Sequence, residues 1–436
     1  MRVQYACEAI DDSTERSHSG AFSCCNELPR SECAAPLQVV YCGSREVYGQ
    51  AEKGNSVKVS CLQENFQRAL SRVSRAVATR TALPVLSNVL LATDAGRLRV
   101  AATNLEIGVT TWIDASVEEE GRITVDARLL NEFVNTLPAG QVDLVTDIAR
   151  VSLTVQSGRD KAAINGIDAE DFPVIPSVSE DGFSVTIDPR LLREMIAQVE
   201  FAAAADESRP VLAGVLTRFS AERLMLAAAD GFRLAVRNGD LNSPVEEVVD
   251  VIVPARAYRE LARLLADADE LVKIGVTPNR SQILARVGDS EWVSRLIDGT
   301  FPDVMQIVPK EFGTRLDLGR ESLLNAVRRA GYFARENNDV VRLQVQPAED
   351  DLAPGNVEVS AHAAERGNSQ SFVDASISGG ELQIAFNGRY LSDVLAVLRN
   401  GQVTLGLNGS NQAGVVRSSG DEDYTHVIMP MVIGAQ

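Results

Sequence analysis

Residues 250–274 read DVIVPARAYRELARLLADADELVKI, and residues 121–145 read GRITVDARLLNEFVNTLPAGQVDLV. Each opens on alternating apolar residues, the period of a half-buried strand. Each then passes through a short break, PAR or DAR, into apolar residues at helical spacing for about three turns, and closes on another strand-like run. Residues 382–407, LQIAFNGRYLSDVLAVLRNGQVTLGL, form a fainter third copy with NGR at the break. Arg128, Arg256 and Arg389 occupy the same place in the three. The interval between copies exceeds the roughly 20–50 residues of a solenoid repeat, so the chain of 436 residues is built from tandem copies of a whole domain.

Further pairs extend the repetition upstream. RTALPVLSNVLLA (80–92) is echoed by SRPVLAGVLTRF (208–219), and GRLRVAATNLEIGV (96–109) by ERLMLAAADGFRLAV (222–236). One interval separates both Val85 from Val211 and Asn104 from Asp230. The third copy keeps only NNDVVRLQV (337–345) of this phrase. Each copy reads strand, helix, several alternating strands, a second helix and further strands. This predicts an α+β fold with two helices per copy packed on antiparallel sheets. The Pro- and charge-bearing stretches DFPVIPSVSEDG (171–182) and FPDVMQIVPKEFG (301–313) mark the boundaries. Domains are expected over 57–180, 181–310 and 311–436. Residues 1–56 carry neither period. They read as a disordered tail or as residues upstream of a true start at Val57.

The net charge of −18 argues against a nucleic-acid partner if it is spread evenly. The arginines say otherwise. In a helix expected over 62–79, Phe66, Leu70, Val73 and Val77 form one stripe, with Arg68, Arg72 and Arg75 on the opposite face and Arg80 just beyond. Arg190 and Arg193 mark the first helix of the second domain, Arg256, Arg259 and Arg263 its second helix, and Arg328, Arg329 and Arg335 the first helix of the third. Any one of these reads as a solvated surface residue. Together they describe a basic helical surface inside an acidic shell, suited to phosphates rather than to base edges.

Catalytic patterns are missing. There is no P-loop, no GxGxxG before a helix and no GxSxG. His18, His362 and His426 have no metal-ligand spacing. Asp230 in ADGFRL reads as a turn residue, and Asp421, Glu422 and Asp423 as a solvated turn. The expectation is no enzyme, no metal and no cofactor. Of the six cysteines, only Cys61 falls after residue 56, and the early ones lack CxxC spacing, which fits a reducing cytoplasm. No apolar run is long enough to span a membrane. The chain ends YTHVIMPMVIGAQ, where Pro430 among apolar residues predicts a strand end beside an adaptable apolar groove wall.

RTALPVLSNVLL, AADGFRLAV, LIDGTFPDVMQIVP and VIMPM carry a family resemblance. From Val57 onward the chain resembles the bacterial β sliding clamps, the processivity subunits of DNA polymerase III. The resemblance implies a head-to-tail homodimer closed into a ring of six like domains, with helices lining a hole for duplex DNA of any sequence. It implies that Arg68, Arg72, Arg75, Arg80, Arg128, Arg193, Arg256, Arg259 and Arg328 face the DNA, although Thr81 stands where relatives have proline after Arg80. It implies a cleft between domains 2 and 3, formed by Leu212, Ala229, Gly231, Phe232, Arg233, Leu234, Pro302, Ile307, Val427, Ile428, Met429, Pro430 and Met431. Polymerase subunits, the clamp loader and repair factors would dock short apolar motifs there. The dimer contact would join KAAINGI (161–167) to the region of Tyr332, Phe333 and AERGNSQSF (364–372). Relatives carry an acidic run there and this chain has only Glu365 beside Arg366, so Ile164 packing on Tyr332 and Phe333 is expected to carry more of the contact. Two other readings stay open from the residues alone. One is an adaptor with the groove but no ring, and the other is a Mg²⁺-dependent nucleic-acid enzyme using Asp230 or the acids at 421–423.

Overall fold

The computed structural model describes residues 56–178, 183–206, 208–303, 306–348 and 354–432. Apart from Ser56, the expected N-terminal extension, with its five cysteines and His18, lies outside the described residues. So do residues 179–182 of the first predicted boundary and the last four residues.

The break shared by the three copies is a helix start. Asp126 Oδ1 accepts the Leu129 N–H at 2.7 Å, opening α2 (Ala127–Thr136), the partner of α1 (Gln63–Val73). Asp188 Oδ1 accepts the Arg190 and Leu191 N–H groups, both at 2.9 Å, and opens α3 (Pro189–Val199). Pro254 precedes α4 (Ala255–Leu264) without a side-chain acceptor. α5 (Arg320–Ala334) follows Gly319, and Asn387 Oδ1 accepts the Arg389 N–H at 2.9 Å to open α6 (Gly388–Val397). A cap of this kind contributes about 1 kcal/mol by occupying amides that have no partner in the first turn. The helices pack in pairs, α1 on α2, α3 on α4 and α5 on α6.

The first helix is shorter than the expected 62–79. It ends at Val73, a 3₁₀ turn covers Ser74–Ala76, and Val77 is extended. The Ser74 hydroxyl donates to the Ser71 carbonyl at 3.0 Å, and the β-branched Val77, Thr79 and Thr81 that follow favour extended backbone.

Among the described residues, two sheets of 12 strands each hold the fold together. Neither stops at the boundary between repeats. Strand Ile107–Glu119 of the first repeat pairs antiparallel with Ser290–Arg295 of the second, Ile107 opposite Ser294. Strand Arg233–Asp240 of the second pairs with Tyr424–Ile428 of the third, Arg233 opposite Ile428. The alternation read from the sequence sends one side of each strand beneath the helices, as with Val357, Val359, Ala361 and Ala363.

The main core runs from Val57 to Ile428 through all three repeats. Phe66, Leu70 and Val73 enter it from α1 and Tyr258 from α4. The Tyr258 ring stacks on Trp292 at 6.4 Å between centroids, and its hydroxyl meets Thr217 Oγ1 at 2.7 Å. Two smaller clusters sit at corresponding places in the first and second repeats. One holds Leu90, Ala101 and Phe172, the other Leu216, Ala227 and Phe301. No helix among the described residues is long and apolar enough to cross a membrane.

Candidate nucleic-acid interface and peptide cleft

Arg68 and Arg72 of α1, Arg75 of the 3₁₀ turn after it, Asn131 and Asn135 of α2, and Arg263 of α4 line one depression of about 770 Å³ where the first two domains meet. Arg72 is half-buried, with its Nη1 3.5 Å from Ser290 Oγ, and Arg68 and Arg75 are exposed. Glu260 lies beside them, 2.5 Å from Arg263 Nη1 and 4.0 Å from Arg75 Nε. Arg68, Arg80, Arg193 and Arg328 are exposed and have no ion-pair partner among the described residues.

Three predicted DNA contacts are not free cations. Arg128 Nε is 2.9 Å from Glu132, Arg259 Nη2 is 2.6 Å from Glu200, and Arg256 pairs with Glu106. Arg389, at the same place in the third copy, pairs with Asp339 at 2.8 Å. The repeated arginine stands in the first helical turn, within reach of a carboxylate in every copy. At 87% and 62% side-chain exposure, the Arg128–Glu132 pair is screened by solvent and holds the arginine only weakly.

The cleft grows from one turn. Asp230 Oδ1 accepts the N–H groups of Phe232 at 2.9 Å and Arg233 at 3.0 Å, and Gly231 takes φ +96° between them. This leaves Phe232 61% exposed. The Met429 N–H donates to the Phe232 carbonyl at 2.8 Å, which sets Met429, 43% exposed, beside it. Ile307 and Pro302 are exposed, and Leu212, Ala229, Pro430 and Met431 are half-buried. Leu234 and Val427 lie underneath with Phe301. The arrangement is an exposed apolar rim over a buried apolar floor.

Two residues assigned to that cleft do other work. Ile428 points into the main core, because strand alternation turns it away from Val427. The Arg233 side chain is only 10% exposed. Its Nη1 donates to Asp393 of α6 at 2.7 Å and its Nη2 to the Phe201 carbonyl at 2.6 Å. The guanidinium lies 5.3 Å from the Phe201 ring centre and 4.3 Å from that of Tyr390. Asp393, Tyr390 and Phe201 had no signal in the sequence, since only the packing of domain 3 against domain 2 brings them to Arg233. His426 is buried next to this bolt and stacks on Phe201 at 5.5 Å. Burial first, and the nearby Arg233 second, push its pKa down to about 3.

The acids at 421–423 are not a free turn. Asp421 meets Arg237 at 2.6 Å and Asp423 pairs with Arg223, so both tie domain 3 to domain 2. Arg399 of domain 3 reaches Glu194 of α3 at 2.7 Å. The Asp230 carboxylate is taken up by its own turn and by Arg233 Nε at 3.1 Å. Cys61 is buried, and burial, with Asp143, pushes its thiol up to about 12, away from thiolate chemistry at neutral pH.

Among the open strand edges of the described residues are the two expected at the dimer contact. In strand Asp160–Ile167, residues 160–165 pair only with Ser152–Ser157, and just Gly166 and Ile167 reach a second strand. In strand Gly367–Ser378, residues 367–374 pair only with Gly355–Ala363. Ile164 is buried at 4% exposure in its own domain and does not face outward, because the outward side of that strand carries Lys161, Ala163 and Asn165. Tyr332 and Phe372 are 65% and 61% exposed, while Phe333 packs partly on the core. Arg366 pairs with Glu336 at 2.5 Å.

Three like domains on continuous sheets, with paired helices bearing arginine, define a clamp-type DNA-processivity fold. Residues 57–176, 186–303 and 305–432 match the models of the N-terminal, central and C-terminal domains of the DNA polymerase III beta subunit. The beta sliding clamp of Synechocystis sp. is 34% identical over 397 residues, covering 86% of this chain and 99% of that protein. That of Bacillus subtilis is 29% identical over 386 residues, with the same shares. The crystal structure of the Bacillus subtilis sliding clamp superposes with a TM-score of 0.82 at 28% identity, over 87% of this chain and 100% of that one. The Pseudomonas aeruginosa clamp bound to griselimycin gives 0.79 at 31%, with the same shares. The chain belongs to the DNA polymerase III beta subunit family, the bacterial β sliding clamps. Its function is that of a polymerase processivity clamp, in a family of non-catalytic processivity factors.

Proposed function

We propose that two copies of this chain close head to tail into a ring around duplex DNA and tether polymerase subunits, the clamp loader and repair factors by short apolar peptides in the Phe232–Met429 cleft. The open edges carry this reading. The unpaired side of residues 160–165 in domain 1 and that of residues 367–374 in domain 3 are complementary templates for one antiparallel addition, made twice by two-fold symmetry. The exposed aromatics Tyr332 and Phe372 flank the domain 3 edge. Arg68, Arg72 and Arg75 then present a weak, salt-sensitive phosphate surface, and retention comes from topology rather than from affinity. The chain contributes no chemistry of its own, and it acts in the cytoplasm. The test is loading of residues 57–436 onto nicked circular DNA by the cognate loader, followed by one cut in the circle. Retention before the cut and loss after it are expected. Equal retention on circle and line overturns the ring.

A further inference from the structure

The domain 2–3 cleft has a counterpart at the domain 1–2 junction. Asn104 Oδ1 accepts the N–H groups of Glu106 at 3.0 Å and Ile107 at 2.8 Å, as Asp230 does for Phe232 and Arg233. The Arg295 N–H donates to the Glu106 carbonyl at 2.8 Å, as Met429 does to Phe232. Residues 172–176, FPVIP, run alongside as the loop beginning Phe301–Pro302 does in the next repeat. The result is a groove of about 300 Å³. Its floor is close-packed, since a Cβ on Gly108 would stand 2.8 Å from Val293 and 3.1 Å from Ile175.

Two features separate this groove from a worn-down copy. Leu105 occupies the position of Gly231 and holds φ +71°, a left-handed conformation that leucine adopts only at a cost, and it stays 45% exposed there. Val174 opposite is 94% exposed. The charge also differs. Where the cleft has Met429, the groove has Arg295, exposed and without an ion-pair partner among the described residues, while Glu106 is engaged by Arg256.

We propose that the Leu105–Val174 groove docks a short extended peptide whose apolar anchor is followed closely by a carboxylate, with the anchor between Leu105 and Val174 and the carboxylate on Arg295. The inference rests on the cleft reading above, whose turn it takes as a template.

The probes are two fluorescein-labelled pentapeptide amides, Gly-Leu-Phe-Asp-Gly and Gly-Leu-Phe-Asn-Gly, titrated by anisotropy into the full chain. In the Met429→Glu background, which closes the cleft, the Asp peptide is expected to keep binding. Val174→Glu or Arg295→Glu then weakens it by about tenfold, and the Asn peptide is insensitive to Arg295→Glu. Leu105→Gly removes the strained conformation without disturbing the fold, so a Tm held or raised together with weaker binding of the Asp peptide also supports the groove. Loss of all binding on Met429→Glu alone overturns the groove and leaves the cleft standing. Absence of binding to the unaltered chain overturns both. Self-association that Val174→Glu abolishes in sedimentation assigns the groove to a second copy and overturns the peptide.

Discussion

Arg233, on a strand of the second domain, stacks its guanidinium 4.3 Å from the ring centre of Tyr390, on a helix of the third. With Asp393 and the Phe201 carbonyl as its other partners, this one side chain fastens α6 against domain 2 from beneath the cleft. Arg233→Ala leaves Asp230 and Asp393 without their cation, and a loss of about 3 kcal/mol is expected. Thermal unfolding of the full chain should show it, with Arg233→Lys recovering only part because the stack and the fork are both lost.

The same junction predicts an acid limb in stability. His426 titrates at about 3 when folded, against 6.5 ordinarily. The unfolded chain therefore binds the proton first as pH falls, and stability drops through the window from 6.5 towards 3. Neither ring nitrogen of His426 has a hydrogen-bond partner among the described residues. His426→Phe should flatten that limb without lowering Tm at pH 8. An unchanged Tm-against-pH profile would show that acid sensitivity comes from other groups.

Trimming Met429–Gln436 removes the exposed methionine beside Phe232 and the Met431 N–H bond to the Ala385 carbonyl at 2.8 Å. It leaves the Tyr424–Ile428 strand in place. Peptide affinity should fall more than tenfold, as for loss of a central apolar anchor. Sedimentation of the trimmed chain should still report a dimer.

Changing Arg68, Arg72 and Arg75 to Glu reverses the charge of the α1 surface without touching Phe66, Leu70 or Val73. Folding should be unaffected while loading and retention on circular DNA collapse. The slope of log affinity against log salt should fall by about the number of phosphate contacts removed. Unaltered retention would place these residues away from DNA.

Ile164 and Phe372 separate two kinds of contact. Ile164→Ala should cost about 2–5 kcal/mol by opening a cavity in domain 1. Phe372→Asp, on an exposed aromatic beside an open edge, should leave Tm of the chain nearly unchanged and shift sedimentation toward the monomer. The opposite assignment of effects would return Ile164 to the interface.

The repeats were legible because a strand, a capped helix start and a helix carry their own periods. The DAR and NGR breaks gave the helix starts by the side chains of Asp126 and Asn387. Arg68 and Arg72 are legible because helical geometry fixes the face they share, whereas Arg75 lies in the 3₁₀ turn beyond the end of α1. Ile164, expected at the dimer contact, is buried in its own domain, because which side of a strand faces the core depends on register, which the partner strand sets. The partners that bury Arg233 beneath the cleft, Phe201, Tyr390 and Asp393, lie up to 160 residues away along the chain, beyond the reach of local sequence pattern. The pairing of Arg256 with Glu106 likewise forms only across the domain 1–2 junction.

The sheets that pass from one repeat into the next have a further consequence. Though the three domains are copies, none is an excisable module. Cutting the chain before Ser290–Arg295 would strip the Ile107–Glu119 strand of its neighbour, and cutting before Tyr424–Ile428 would do the same to Arg233–Asp240. Each cut would bare a fresh row of amides and carbonyls that seeks any strand it meets, so isolated domains of this chain should be prone to aggregation.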